Sequence, residues 1–367
     1  LYDVPPNAAA LVRHLRARGV ALERIELGEE PDGQEVAPED FAALYVQTAR
    51  AVRAIDSTLV CGGPSWQDTE DAERAFWPAR PDAPHTWIGR FLHELDRTHA
   101  RETWRFFSFE WYPFDAPCPP DAPHVARAPW RFQRAMDRLV AEGVPTDLPW
   151  VVSEYGYSVQ SCEAEVQLSG ALVDADLVGG ALARGIERTH FYGIEPGRPA
   201  RAPHCDSWGE LVLWLADENG HARARVPAFW ATSLLTHEWV GARGAPHETH
   251  PVRVTAATRG DSTLRPSVYA HRRPDGRWGV LLINRDASRP WTVELRVDRG
   301  EGPSRPLAGR VRHAVYSADR WRWRAAEENG WPTLNEPPVT EEVPAREAWT
   351  LPPWSITVLV GDDTPLR

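Results

Sequence analysis

Between residues 7 and 239 strand-like and helix-like stretches alternate five times, and this alternation constrains the fold more than any other feature of the chain. Helical spacing over 7–18 (Ala10, Leu11, Leu15) leads into a short strand at 24–28, where Ile25 and Leu27 alternate with charge. A helix over about 38–55 starts after Pro38 and carries Phe41, Leu44, Tyr45, Thr48 and Val52 on one face. The strand "TLVCGGPSW" (58–66), a helix at 87–97, the strand "WRFFSFEWYPF" (104–114) and a helix at about 129–142 come next. "PWVVSEYGYS" (149–158), a helix at about 165–185, "RTHFYGIEP" (188–196) and an amphipathic helix at about 227–239 complete the series.

Such a series specifies a parallel sheet with helical crossovers. The strands are short and apolar and end in polar or aromatic residues, which fits a (β/α)8 barrel better than an open dinucleotide-binding sheet. No G-x-G-x-x-G follows any strand, so no nucleotide cofactor is expected. Beyond about residue 245 the texture changes to short alternating stretches, with "PDG" (274–276) as a hairpin turn. The expected organisation is an α/β barrel segment over 1–244 and an antiparallel β-sandwich over 245–367, with the Glu- and Pro-rich stretch 325–346 as a long loop.

With 367 residues, 42% of them hydrophobic, the chain can bury a large core and a second small one. Its net charge of −11 argues against nucleic-acid backbones, which call for clustered positive charge. No apolar run approaches the roughly 18 residues of a membrane span. All 41 basic residues are Arg, as a GC-rich bacterial genome would give. The chain opens on Leu1 rather than Met, so a preceding segment is expected and a secreted or extracytoplasmic location is slightly favoured.

In a barrel, catalytic groups sit at the C-terminal ends of strands. Glu29 and Glu30 hold that position after the first strand, and Glu154 holds it in "VVSEYGYS". Cleavage of a glycosidic bond needs such a pair, one carboxyl kept protonated for the leaving group and one ionised to attack or to activate water. A single Glu at a strand end is as often a solvated loop residue, but two in matching aromatic contexts shift the balance.

These stretches resemble the catalytic motifs of clan A glycoside hydrolases. "GEEP" (28–31) is similar to the G-N-E-P signature that ends barrel strand four, and "VVSEYG" (151–156) to the strand-seven nucleophile motif. "CGGPSW" resembles strand five, "SFEWYP" the strand-six S-x-H-x-Y-P pattern, and "HFYGIEP" strand eight. With the appended sandwich, the likeness points to family 39 and its relatives. It implies a retaining O-glycosyl hydrolase with Glu30 as acid/base, Glu154 as nucleophile and Tyr112 as the phenol bonded to the nucleophile. Two positions depart from the pattern. The Asn that normally precedes the acid/base is Glu29, and Glu110 stands where the family has His. Glu29 beside Glu30 is expected to raise the pKa of one or both by like-charge repulsion. The resemblance also implies that barrel strands one to three are absent. A sheet of five units then has an open flank, and the chain is expected to be a fragment, poorly active alone.

Of 18 Trp residues, Trp66 and Trp111 flank the proposed site and are candidates for stacking on a sugar ring; the sandwich Trp residues are expected to pack. Cys61, inside a strand, reads as a buried free thiol; one disulfide is expected among Cys118, Cys162 and Cys205, whose pairing stays open. No C-x-x-C or H-E-x-x-H occurs, and "HETH" (247–250) falls in the linker, so no metal is expected. The implied ligand is an oligosaccharide, polysaccharide or glycoside. A non-catalytic carbohydrate-binding or scaffold protein on the same barrel, and a transglycosylase, are the rival readings.

Overall fold

The structure, a computed structural model, describes residues 4–67, 78, 80–114, 118–241, 245–255, 264–298 and 303–363. It divides into two compact units. The first holds the chain through Trp111 together with Gln133–Tyr155 and Ile186–His190; the second holds Tyr112–Phe132, Gly156–Gly185 and Phe191 onward.

The first half of the chain runs α1 (Pro5–Ala17), β1 (Arg24–Glu26), α2 (Pro38–Arg53), β2 (Val60–Trp66), α3 (Trp87–Arg97), β3 (Phe107–Trp111), α4 (Ala122–Ala141), β4 (Trp150–Tyr155), α5 (Leu168–Ala183) and β5 (Arg188–Phe191). The strands form one parallel sheet in the order β1-β2-β3-β4-β5, so each crossover moves one place along. Pairing puts Glu26 beside Gly62, Phe107 beside Trp150 and Glu110 beside Glu154. The sheet does not close on itself among the described residues. Its central strands β2 and β3 are buried, whereas the outer strands β1 and β5 keep half-buried and exposed positions.

Local chemistry accounts for these elements. Pro38 sits in the first turn of α2, where its missing N–H costs nothing, and Glu39 and Asp40 beside it suit the positive end of the helix dipole. The buried stripe Phe41, Tyr45, Ala49 and Val52 then faces inward. It meets an aromatic core: Phe91 lies 5.5 Å from Phe41, 5.8 Å from Tyr45 and 6.0 Å from Trp104, and Phe107 lies 5.1 Å from Trp150. Pairs of this geometry contribute about 0.5–1.5 kcal/mol each beyond their area burial. Helix α4 begins at Ala122, well before the expected start near 129, and carries Pro129 inside it. A proline that looks like a helix start is here tolerated within the helix, at the loss of one backbone bond. The last helix is shorter than expected, with α6 at Pro227–Ser233 followed by a π turn at Leu234–Trp239.

In the second unit, two small ribbons precede α6: β6 (Ala200–Arg201) with β7 (Trp208–Gly209), and β8 (Trp214–Ala216) with β9 (Ala222–Arg225). The C-terminal part forms a six-stranded antiparallel sheet in the order β10 (Glu248–His250), β11 (Ser267–Arg272), β12 (Trp278–Asn284), β19 (Ser355–Asp362), β14 (Ala308–Ser317), β17 (Val339–Pro344). β13 (Trp291–Glu294) pairs with β18 (Ala348–Leu351), and β15 (Trp321–Arg324) with β16 (Trp331–Asn335). Val280, Leu282, Val311, Val343 and Leu359 from the large sheet share a core with Trp349 and Leu351 of β18. The PDG turn closes the β11–β12 hairpin as its sequence demands, with Gly276 at φ +80°. The expected loop at 325–346 is instead about half strand: β16 and β17 lie within it, and in "VTEEVP" both Glu residues are exposed while Val343 is buried. β17 is the edge strand of the large sheet, which leaves its polar residues open to solvent.

Asp176 of α5 is buried and accepts from Tyr269 Oη at 2.6 Å and Ser267 Oγ at 3.0 Å, with Arg285 Nε 3.6 Å away. Cys118 and Cys205 form a disulfide with Cα atoms 5.8 Å apart, leaving Cys61 and Cys162 as buried free thiols. No helix among the described residues is long and apolar enough to cross a membrane.

Candidate active site

The site grows from the exits of β1, β2, β3 and β4, all in the first unit. After β1 the chain turns at Gly28, whose φ of +100° favours glycine and where a Cβ would stand 2.6 Å from the Phe41 ring. Glu29 follows with an exposed side chain, its carbonyl accepting from Gln34 Nε2 at 2.9 Å. Glu30 adopts φ +46°, a conformation that costs a non-glycine residue roughly 1–2 kcal/mol. It is held there by its N–H on Ser65 O (3.0 Å) and its carbonyl on Gln34 N–H (2.9 Å). Strain of this kind persists where the surroundings over-determine it, and it gathers at functional sites. Ser65, in the irregular end of β2, is also left-handed at φ +57°.

The Glu30 carboxyl accepts from Gln67 Nε2 at 2.7 Å, and Gln67 N–H in turn donates to buried Asp32 at 3.2 Å. Glu30 also shares a hydrogen bond with Glu110 of β3. Glu110 is 1% exposed; Ser65 Oγ donates to its Oε1 at 2.9 Å, and Oε2 meets no donor among the described residues. Burial, the bond to Glu30 and the charges of Glu154 and Glu30 push its pKa up to about 9, against the smaller opposite pull of Ser65. At neutral pH Glu110 therefore carries a proton, and its O–H is the donor that a carboxyl–carboxylate contact with Glu30 requires. Glu154, opposite Glu110 on β4, completes a group of three converging carboxyls.

Sequence reasoning missed two parts of this site. Glu26 of β1 feels both Glu154 and Glu29, and its pKa is raised, mostly by desolvation, against a hydrogen bond from Ser108. The second part is a run of hydroxyls: Ser65 N–H donates to Ser108 Oγ (2.9 Å), Ser65 Oγ meets Ser153 Oγ (2.8 Å), and Ser153 Oγ donates to Phe109 O (3.0 Å). Since Ser153 gives its hydrogen to Phe109, the one hydrogen on Ser65 goes either to Glu110 or to Ser153. The hydroxyls can thus reorient as Glu110 changes its protonation. The signal was present: "PSW", "FSF" and "VSE" each place a serine within a strand, and "RIELG" places a charge between two apolar residues.

Trp66 and Trp111 are 3% and 2% exposed, and Trp66 packs on Trp87 at 5.1 Å between ring centroids. Little of either indole is open to a sugar, which corrects the expectation of stacking; packing claims them because they lie within strands rather than beyond their ends. Tyr112 begins the second unit, half-buried, its ring edge-on to Tyr192 at 6.3 Å. Chemically, the cluster provides one protonated carboxyl hydrogen-bonded to a second, with a third facing them from the next strand. That is the division of labour acid-assisted displacement at an acetal carbon requires.

Neither a protein-family model nor any curated protein matches the sequence. Solved structures do match. A family 44 xyloglucanase of Paenibacillus polymyxa aligns with a TM-score of 0.63 at 12% identity, over 97% of this chain and 70% of that one. A family 51 arabinofuranosidase of Xanthomonas axonopodis pv. citri aligns at 0.63 and 16%, over 98% and 73%. A family 39 β-xylosidase of Caulobacter crescentus aligns at 0.52 and 17%, over 98% and 71%. In fold, the structural neighbours of this chain are glycoside hydrolases of clan A.

Proposed function

We propose that this protein is a retaining glycoside hydrolase with Glu154 as nucleophile and Glu30 as acid/base. The observation that carries the proposal is the convergence of Glu30, Glu110 and Glu154 at the C-terminal ends of parallel strands. In this reading β1 to β5 are strands four to eight of a (β/α)8 barrel spanning 1–244, and 245–367 is an appended β-sandwich. Residues 242–244, at that boundary, lie outside the described residues.

The first step forms a bond between a Glu154 carboxylate oxygen and the anomeric carbon as the bond to the leaving oxygen breaks. Glu30 gives its proton to that oxygen, so no free alkoxide forms. Water then attacks the glycosyl ester, Glu30 takes its proton, and Glu154 is released. Before the first step the proton shared by Glu30 and Glu110 sits on Glu110; it crosses the hydrogen bond to Glu30 as Glu30 protonates the leaving oxygen, departs with that group, and is replaced when Glu30 takes a proton from the attacking water. Gln67, bonded to Glu30, holds the carboxyl in place during the exchange.

The test is replacement of Glu154 by Ala, assayed on a panel of activated aryl glycosides. Turnover is expected to vanish while the fold persists, and added azide should restore glycoside cleavage with a glycosyl azide as product. Undiminished turnover removes Glu154 from the mechanism. The outer strands β1 and β5, half-buried to exposed and with no further neighbour in their sheet among the described residues, favour one rival, a carbohydrate-binding protein without turnover; it predicts saccharide binding and no hydrolysis across the panel.

A further inference from the structure

In the second unit, "HARAR" (221–225) places Arg223 and Arg225 two residues apart in β9, which is bulged at Arg223: Leu215 pairs with Ala224 and Ala216 with Ala222. Trp214 of β8 is the direct partner of Arg225, while Leu215 is buried. A cleft of about 510 Å³ opens there, lined by Trp214, Arg223, Arg225, Trp230, Asn335 and Pro337. Its volume falls within the usual range of small-molecule sites.

The two guanidinium groups are held by rings rather than by acids. Arg223 lies over Trp331 at 3.9 Å from the ring centroid, and Arg225 over Phe229 and Trp230 at 4.8 and 5.1 Å. Among the described residues no carboxylate reaches either one as an ion pair. Asn335 fixes the floor: its Oδ1 accepts from Trp230 Nε1 at 3.2 Å and its Nδ2 donates to Arg225 O at 3.0 Å. Two cationic side chains with no carboxylate partner among the described residues line one cleft, and an anion bound there would be attracted by both. Stacking leaves the N–H edges of a guanidinium available, in a planar fork that matches a carboxylate. The half-buried indole beside them offers an apolar face of the kind a pyranose ring covers.

We propose that this cleft binds a saccharide unit bearing a carboxylate, a uronic acid, through Arg223 and Arg225 with Trp214 against the sugar ring. The saccharide part rests on the glycosidase reading; the anion part does not.

The full chain carrying Glu154→Gln, which cannot turn over by the proposed mechanism, is titrated calorimetrically with trigalacturonate, with the same trisaccharide after reduction of its carboxyls to alcohols, and with inorganic phosphate. The uronate is expected to bind at least tenfold tighter than the reduced sugar, and more weakly as salt rises. Arg223→Gln with Arg225→Gln should weaken it at least tenfold, Arg225→Lys should weaken it by losing the fork while keeping the charge, and Arg322→Gln should leave it unchanged. Equal binding of the reduced sugar, or no effect of the Arg223 and Arg225 variants, overturns the proposal. Binding of phosphate without uronate overturns its saccharide part. Loss of the glycosidase reading would appear separately, as absent turnover in the unmodified protein.

Discussion

Replacing Glu110 by Gln should change how stability depends on pH. Glu110 has a folded-state pKa of about 9 against an ordinary value of 4.5. Between those limits the folded chain binds a proton that the unfolded chain has released, so stability falls as pH rises, by up to about 1.4 kcal/mol per pH unit for one proton. Integrated from pH 5 to pH 7, with partial titration of the unfolded state included, the loss is about 2.5 kcal/mol. The contribution is fully present below the unfolded value of 4.5 and is lost as pH climbs toward the folded value. The groups acting on Glu110 are Glu30 from the turn after β1, Ser65 from β2 and Glu154 from β4. A Gln at this position keeps the shape, can donate to Glu30 and does not titrate. Urea denaturation of both proteins at pH 5, 6 and 7 measures the difference. The reasoning predicts that the variant gains on the parent by about 2.5 kcal/mol across that range. Parallel pH profiles would refute a proton held on Glu110.

Other perturbations separate chemistry from stability. Glu30→Gln should lower kcat/KM by about 10²- to 10⁴-fold on glycosides with alkyl leaving groups, yet spare the first step with nitrophenyl leaving groups, which depart without a proton; equal losses on both, by burst kinetics, would count against an acid role. Replacing Cys118 and Cys205 by Ser opens a loop with a sequence separation of 87, and should cost up to about 4.6 kcal/mol on chain-entropy grounds, seen as a lower denaturation midpoint. Asp176→Ala leaves buried Arg285 and Tyr269 without their shared acceptor, for which about 3–5 kcal/mol of lost stability is expected in the same assay.

The β/α series was legible because each strand is a short apolar run and each helix an amphipathic one, and β1 to β5 fall inside the predicted segments. Boundaries failed where one residue carries two meanings. Pro129 reads as a start but lies inside α4, and the glutamates of 339–344 read as loop although this stretch pairs with β14 as an exposed edge strand. At the site, Glu30, Glu110 and Glu154 stood out as carboxyls near strand ends, and the structure brings them together. Which carboxyl keeps the proton was not legible. That depends on burial and on hydrogen-bond partners from separate strands: desolvation comes first for both Glu110 and Glu26, and a hydrogen bond, with Glu30 for the one and Ser108 for the other, comes ahead of the neighbouring charges. Trp66 and Trp111 were misjudged for a similar reason: exposure is a property of the packed sheet, and a strand-end tryptophan reads the same in sequence whether it is open or covered.

The central claim is a covalent intermediate on Glu154. Its most direct test is to incubate the protein with an activated 2-deoxy-2-fluoro glycoside of whichever sugar the aryl panel identifies, then map the modified peptide by mass spectrometry. The account predicts one glycosyl adduct, on Glu154. An adduct on Glu30, Glu110 or Glu26, or full turnover of the parent glycoside with inversion and no adduct, would contradict it.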